Sequence, residues 1–232
     1  MRYWMLLTLA VVGSGVWGAP LPDLTADQAV QGIRWFGQND LRISIGGMVI
    51  WIDPVYESSD EKADLILITH NHGDHYNSDK IDALTGLRTK VLVGFDDPSY
   101  DRIRPGDTKS FGEVTVEAVP AYNRAASFHP KNQEFCGFVI SAQGVRVYVT
   151  GDTELVPEMK NLRCDIVLLP LGQTYTFRSL QDAEQAVLDV RAKIAIPVHY
   201  GMYEGSEADA DRFVSDLNAR GVTAIRLPRQ PQ

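Results

Sequence analysis

The chain has 232 residues, 44% hydrophobic and 22% charged, with a formal net charge of −8 and an isoelectric point near 5.1. That length and apolar fraction suit one globular domain with a sizeable core. The acidic balance argues against a non-specific nucleic-acid binder, which needs a basic face to neutralise phosphates. Small anionic substrates stay open, because bound dications would dominate the field inside a site.

Met1-Arg2 gives a short positive start, residues 3–12 are almost wholly apolar, and Gly13-Ser14-Gly15 breaks the run. Gly18 and Ala19 are small enough for cleavage between them. Residues 1–18 are therefore expected to be a signal peptide and residues 19–232 the mature domain, exported to a bacterial periplasm. The apolar stretch is too short for a stable membrane span; a retained N-terminal anchor is the alternative.

After Ile33-Arg34-Trp35-Phe36, residues 41–45 and 48–52, joined by Gly46-Gly47, predict a hairpin with a primed turn that Asp53-Pro54 ends. The run at 65–69 reads as a buried strand, followed by a short helix near 79–84. Further strands are predicted at 91–94 and 114–119, a second hairpin at 138–141 and 145–150 around Gln143-Gly144, and a buried strand at 166–169. Ser179 caps a predicted helix running to about Arg191, with Asp182 as its capping-box partner. After a strand at 194–197, Ser206 caps another helix, with Asp209 in the same role and Gly221 at the stop. Ala210, Phe213, Val214 and Leu217 recur at the spacing of one buried face. Strands first and βα alternation afterwards imply an α/β fold of layered sheets flanked by helices. Cys136 and Cys164 could pair in an exported protein or remain two buried thiols.

The chemistry concentrates in Thr69-His70-Asn71-His72-Gly73-Asp74-His75, which holds three of only five histidines on the loop leaving the strand at 65–69. Imidazole and carboxylate are ligands that divalent zinc, iron or manganese prefer. Gly73 permits a sharp turn between the two pairs, and His72 and His75, three apart, share a face if a helical turn begins there. The pattern His-x-His-x-Asp-His resembles the signature of the metallo-β-lactamase-fold hydrolases. That resemblance, extending over residues 33–228, implies a four-layer αβ/βα sandwich with the site along one edge. It implies that His70 and His72 serve one metal, and Asp74 and His75 a second.

On the same resemblance, Asp152 of Gly151-Asp152-Thr153 bridges the two metals, and His199 of Pro197-Val198-His199-Tyr200-Gly201 serves the second. Where the family has a further histidine, this sequence reads Pro120-Ala121-Tyr122-Asn123. Asn123 is taken as a weak carbonyl ligand of the first metal, which is expected to be the less tightly held. His129, six residues on, either reaches inward or faces solvent. The segment 169–177 resembles the branch of ascorbate-phosphate lactonases and N-acyl-phosphatidylethanolamine-hydrolysing phospholipases, which makes Thr174, Tyr175 and Thr176 candidates for substrate contact. Asp53 is expected to orient a metal ligand from behind.

These readings predict a hydrolase carrying one or two divalent ions, zinc first, with iron or manganese open. The ions would acidify a bound water and polarise a scissile carbonyl or phosphoryl oxygen, and Asp74 would orient the attacking hydroxide. The expected partner is a small ester, lactone, amide or phosphodiester. The alternative is a non-hydrolytic metal-binding, sensing or redox protein on the same fold.

Overall fold

The computed structural model describes residues 21–56, 59 and 61–231; the expected signal peptide and its cleavage point lie outside them. A short helix α1 (Ala26–Val30) opens the described chain under a Thr25–Gln28 capping box. The first sheet then forms in chain order from β1 (Ile33–Gly37), β2 (Asp40–Ile45), β3 (Met48–Ile52), β4 (Leu65–Ile68), β5 (Lys90–Val93) and β6 (Asp101–Arg102). The 41–52 hairpin forms as expected, and β1 to β3 are antiparallel, whereas β3 to β6 are parallel. Helix α2 (Ser78–Leu84), capped by the Asn77 side chain, lies between β4 and β5 in the chain.

The second sheet comprises β7 (Thr108–Phe111), β8 (Val114–Pro120), β9 (Cys136–Ala142), β10 (Val145–Val149), β11 (Ile166–Pro170), β12 (Ile194–Val198) and β13 (Thr223–Ala224). It repeats the scheme, with β7 to β10 antiparallel and β10 to β13 parallel. Helix α3 (Leu180–Asp189) runs between β11 and β12. Ser179 accepts from the Asp182 N–H, but the reciprocal half of the expected capping box is not formed, and Arg191 turns into the left-handed region beyond the helix. Helix α4 (Glu207–Ala219) has its full Ser206–Asp209 box and ends before Gly221.

Alternation along the strands of the first sheet separates two cores. Ile50, Ile52, Leu65, Leu67 and Leu92 join the main core shared with the second sheet. Trp51, Ile66, Ile68 and Val93 face the other way, onto Ile81 and Leu84 of α2. Helices α3 and α4 pack on the second sheet through Ala183, Val187, Phe213 and Leu217. The order of layers is helix, sheet, sheet, helix. Cys136 and Cys164 are both free and buried, which settles their state as thiols in the core.

The directions of the strands fix where chemistry can sit. In the first sheet β1, β3 and β4 point the same way, and in the second β8, β10, β11 and β12 do. Their C-terminal ends form one edge, where open sheets leave a crevice for ligands.

Candidate metal centre

Every side chain of interest leaves one of those strand ends. Gln38 follows β1, Asp53 follows β3, residues 69–75 follow β4, Asn123 follows β8, Asp152 follows β10 and His199 follows β12. Six non-glycine residues among those described have positive φ, and three of them, Gln38, Asp53 and His199 (44°, 45° and 54°), stand here. Backbone strain of this sort persists where the surroundings over-determine a functional geometry. Gly151, before Asp152, has φ +63°, and a Cβ there would meet Thr69 side-chain atoms at 3.2 Å.

Three of the five histidines, His70, His75 and His129, have Nδ1 held by a neighbouring side chain and Nε2 turned inward. Asp53, fully buried, accepts from the Asn39 amide (2.6 Å), from both the N–H and the hydroxyl of Thr69 (2.7 Å each) and from His75 Nδ1 (2.8 Å). Since the Thr69 hydroxyl donates to Asp53, its oxygen accepts from His70 Nδ1 at 2.9 Å. His70 therefore presents an unprotonated Nε2 inward, and His75, with Nδ1 held by Asp53, directs its Nε2 the same way, the arrangement that orients metal-binding imidazoles. His75 and Tyr76 N–H both bond the His72 carbonyl at 2.9 Å, making a single turn. Gly73 in that turn has neither a positive φ nor any neighbour within 4 Å of a built Cβ. The turn does not need its freedom; Gly73 instead leaves open space at the cleft.

His129 turns inward and takes the place the sequence had offered to Asn123. Its Nε2 lies 3.3 Å from His70 Nε2 and 3.2 Å from His72 Nδ1. The Asn123 amide donates to the Tyr175 carbonyl (2.9 Å), and its Oδ1 accepts from both His129 N and His129 Nδ1 (2.9 and 2.8 Å). With its oxygen so engaged, Asn123 is not a ligand; it fixes the tautomer of the histidine that is placed to be one. Glu154 holds the intervening loop by accepting from the N–H groups of Arg124, Ala125 and Ala126.

Three groups of donor atoms result, each within 4.8 Å: His70, His72 and His129; Asp74, His75 and His199; and His70, His75 and Asp152. Asp152 Oδ2 lies 3.5 Å from His75, 3.4 Å from His199 and 3.7 Å from His129 Nε2, so it faces both sets. His75 and His199 Nε2 are 3.2 Å apart. Ligands held at the usual zinc–nitrogen distance in a tetrahedron stand about 3.4 Å from one another. The spacing is thus that of a coordination shell, and Asp152 Oδ1 is buried without a hydrogen-bond partner. The residues fit one or two divalent ions. Gln38 Nε2 donates to Asp74 Oδ2 at 3.1 Å and lies 3.0 Å from His199 Nε2.

Burial pushes the imidazoles of His70 and His72 down, and that of His129 down to about 4, so this set is unprotonated at neutral pH. Burial acts likewise on His75 and His199. There the Asp152 carboxylate, helped by Asp53 at His75 and by Asp74 at His199, outweighs it and raises both. Burial alone would raise Asp74 and Asp152, yet the neighbouring His199 and His75 hold both below the usual carboxylate range.

The cluster floors a cleft of about 410 Å³ whose walls are Phe128, Tyr175 and Tyr203. Of the three residues predicted to touch substrate, only Tyr175 lines it. Thr174 is exposed, and the buried Thr176 directs its hydroxyl to Glu204 at 2.9 Å. Glu204 also accepts from the N–H groups of Thr174 and Tyr175, fastening the loop after β11 to the loop after β12. Gln38, Phe128, Tyr203 and Glu204 carry no motif in the sequence; only the topology brings them here.

A family model for a β-lactamase superfamily domain matches residues 32–199. The chain belongs to the β-lactamase superfamily. Among its superfamily relatives, a UPF0173 protein of Pyrococcus abyssi is 36% identical over 212 residues, spanning 86% of this chain and 96% of that one. A UPF0173 metal-dependent hydrolase of Archaeoglobus fulgidus is 31% identical over 216 residues, spanning 82% and 92%. A solved structure of a candidate metal-dependent hydrolase from Parabacteroides distasonis matches with a TM-score of 0.76 at 31% identity, over 85% of this chain and 93% of that one. Superfamily membership, these relatives and the donor set together make the protein a metal-dependent hydrolase.

Proposed function

We propose that this hydrolase holds two divalent ions, zinc by preference, and cleaves a small ester, lactone, amide or phosphodiester at the strand-end edge. The observation that carries the reading is the pair of donor sets sharing Asp152 Oδ2 at coordination-shell spacing. His70, His72 and His129 would hold one ion; Asp74, His75 and His199 the other. When bound, such ions supply Lewis acidity to the scissile oxygen and make a water acidic enough to attack near neutral pH.

The chain's own groups complete the site. Asp74 is the partly exposed carboxylate of the cluster, its side chain 23% accessible against 5% for Asp152. It faces the cleft as an ionised acceptor that can take a proton from water or pass one to a leaving group. Gln38 fixes its orientation through Oδ2. Phe128, Tyr175 and Tyr203 form the walls of the cleft above the donors.

The test is metal analysis of purified protein combined with turnover of ester, lactone, amide and phosphodiester panels. We expect close to two equivalents of metal, and Asp74→Asn lowering kcat by 10²-fold or more. Protein that binds metal fully but turns over no member of the panels would sink the reading. We also propose export with cleavage between Gly18 and Ala19, to be checked by N-terminal sequencing of the periplasmic protein.

A further inference from the structure

Three loops that share no motif converge on the cleft with aromatic side chains. Phe128 comes from the β8–β9 connection, Tyr175 from the loop after β11 and Tyr203 from the loop after β12. Phe128 and Tyr175 meet edge to face at 4.6 Å. Five large hydrophobic side chains are exposed among the described residues, and two of them, Phe128 (45%) and Tyr203 (63%), are in this wall. Exposed apolar side chains gathered at a concave site mark a surface waiting for a ligand. The wall is also held in place: the Tyr175 carbonyl accepts from Asn123, which fixes His129, and Phe128 directly precedes His129.

The charge of the lining narrows the ligand. Among the described residues that line the cleft, none is Lys or Arg; its acidic members are Asp74 and Asp152, with Glu204 behind them. A phosphate or carboxylate away from the reacting bond would need a guanidinium, an ammonium or backbone donors. Here it would meet aromatic faces and carboxylates.

We propose that the native substrate is an uncharged carboxylic ester or lactone whose acyl half carries an aromatic or bulky apolar group, seated on Phe128, Tyr175 and Tyr203. This rests on the hydrolase reading above and names the substrate class for the same site. In the reaction the acyl carbon–oxygen bond breaks and the water oxygen bonds the acyl carbon. One water proton goes to the departing alkoxide and the other leaves with the carboxylic acid product. Away from the metals, the described lining offers a phosphate no cationic side chain.

Metal-replete protein would be assayed with 4-nitrophenyl phenylacetate, 4-nitrophenyl acetate, 4-nitrophenyl phosphate and bis(4-nitrophenyl) phosphate. We expect kcat/KM for the phenylacetate to exceed that for the acetate by at least about tenfold, as an apolar pocket discriminates, and to exceed both phosphates by more. Phe128→Ala and Tyr203→Ala should shrink the phenylacetate-to-acetate ratio to within about threefold, chiefly through KM, while Leu87→Ala, on remote exposed surface, keeps it. A preference for either phosphate, or a ratio unmoved by both wall variants, overturns the proposal. Calorimetric titration with phenylacetamide against acetamide separates the two readings. If nothing is turned over but phenylacetamide binds and Tyr203→Ala abolishes its binding, the wall stands and the hydrolase reading fails; if phenylacetamide does not bind, the wall fails.

Discussion

Asn123 uses both ends of its amide: the nitrogen donates to Tyr175 and the oxygen accepts from His129. A sequence reader sees an asparagine where an imidazole is expected and infers a weak carbonyl ligand. The structure moves the imidazole six residues along and makes the asparagine its support. His129→Ala should therefore remove metal as thoroughly as His72→Ala, with bound metal falling from about two equivalents toward one by dialysis and elemental analysis. Asn123→Ala should weaken that ion by roughly 10–100-fold, the usual effect of removing an orienting partner. Asn123→His should bring no gain, because a new ring would displace the support of His129. Protonation adds a second expectation. His129 is pushed down to about 4, whereas His75 and His199 are raised above ordinary imidazole. An ion entering the Asp74, His75 and His199 set must displace protons that those rings hold near neutrality. As pH falls from 8, that ion should leave first, and the ion on His70, His72 and His129 at distinctly lower pH. Cobalt-substituted protein titrated by its visible spectrum would show two separated losses; a single joint loss would contradict this assignment.

At the scale of elements, the long strands and α4 were legible because each carries its own signal. The 41–52 hairpin has apolar runs about Gly46-Gly47, and α4 has a capping box, a buried face and a glycine stop. The strands β6 and β13 have two residues each and β7 is largely exposed, so their positions come from pairing partners rather than from their own pattern. The histidine cluster was legible for its density, and Asp152 and His199 through resemblance. Glu154 and Glu204 were not, because a buried carboxylate that gathers backbone N–H groups from a distant loop has no local spacing to betray it. Gly151 lies between these cases. Its sequence says only that a turn follows β10; its φ of +63° and its 3.2 Å approach to Thr69 show why a side chain there is strained. Gly151→Ala should cost about 1–3 kcal/mol in urea denaturation and weaken metal binding, since the same shift disturbs Thr69 behind His70 and displaces Asp152. Stability within 0.5 kcal/mol of the parent, on the order of an ordinary surface change, would show that the turn relaxes freely.

The whole molecule is two sheets meeting at one chemical seam. The first contributes His70, His72, Asp74 and His75; the second contributes His129, Asp152 and His199. Each donor set, with Asp152 counted in both, takes atoms from both sheets, so an ion bound there cross-links the halves of the fold. Without an ion, five imidazoles and two carboxylates face one another at a largely buried edge, where unpaired polar atoms are costly. Metal should therefore stabilise the domain as a unit. One ion present at a hundred times its dissociation constant adds about 2.7 kcal/mol, and a domain of this size shifts its midpoint by roughly 2–4 °C per kcal/mol. Removing one such ion should lower Tm by roughly 5–11 °C, and removing both by about twice that. Calorimetry of dialysed and zinc-restored protein measures the shift, with one cooperative transition expected in both states. His72→Ala, keeping only the second set intact, should show about half the loss on chelation. An unchanged Tm after metal analysis has confirmed removal would mean that the seam is held by protein contacts alone.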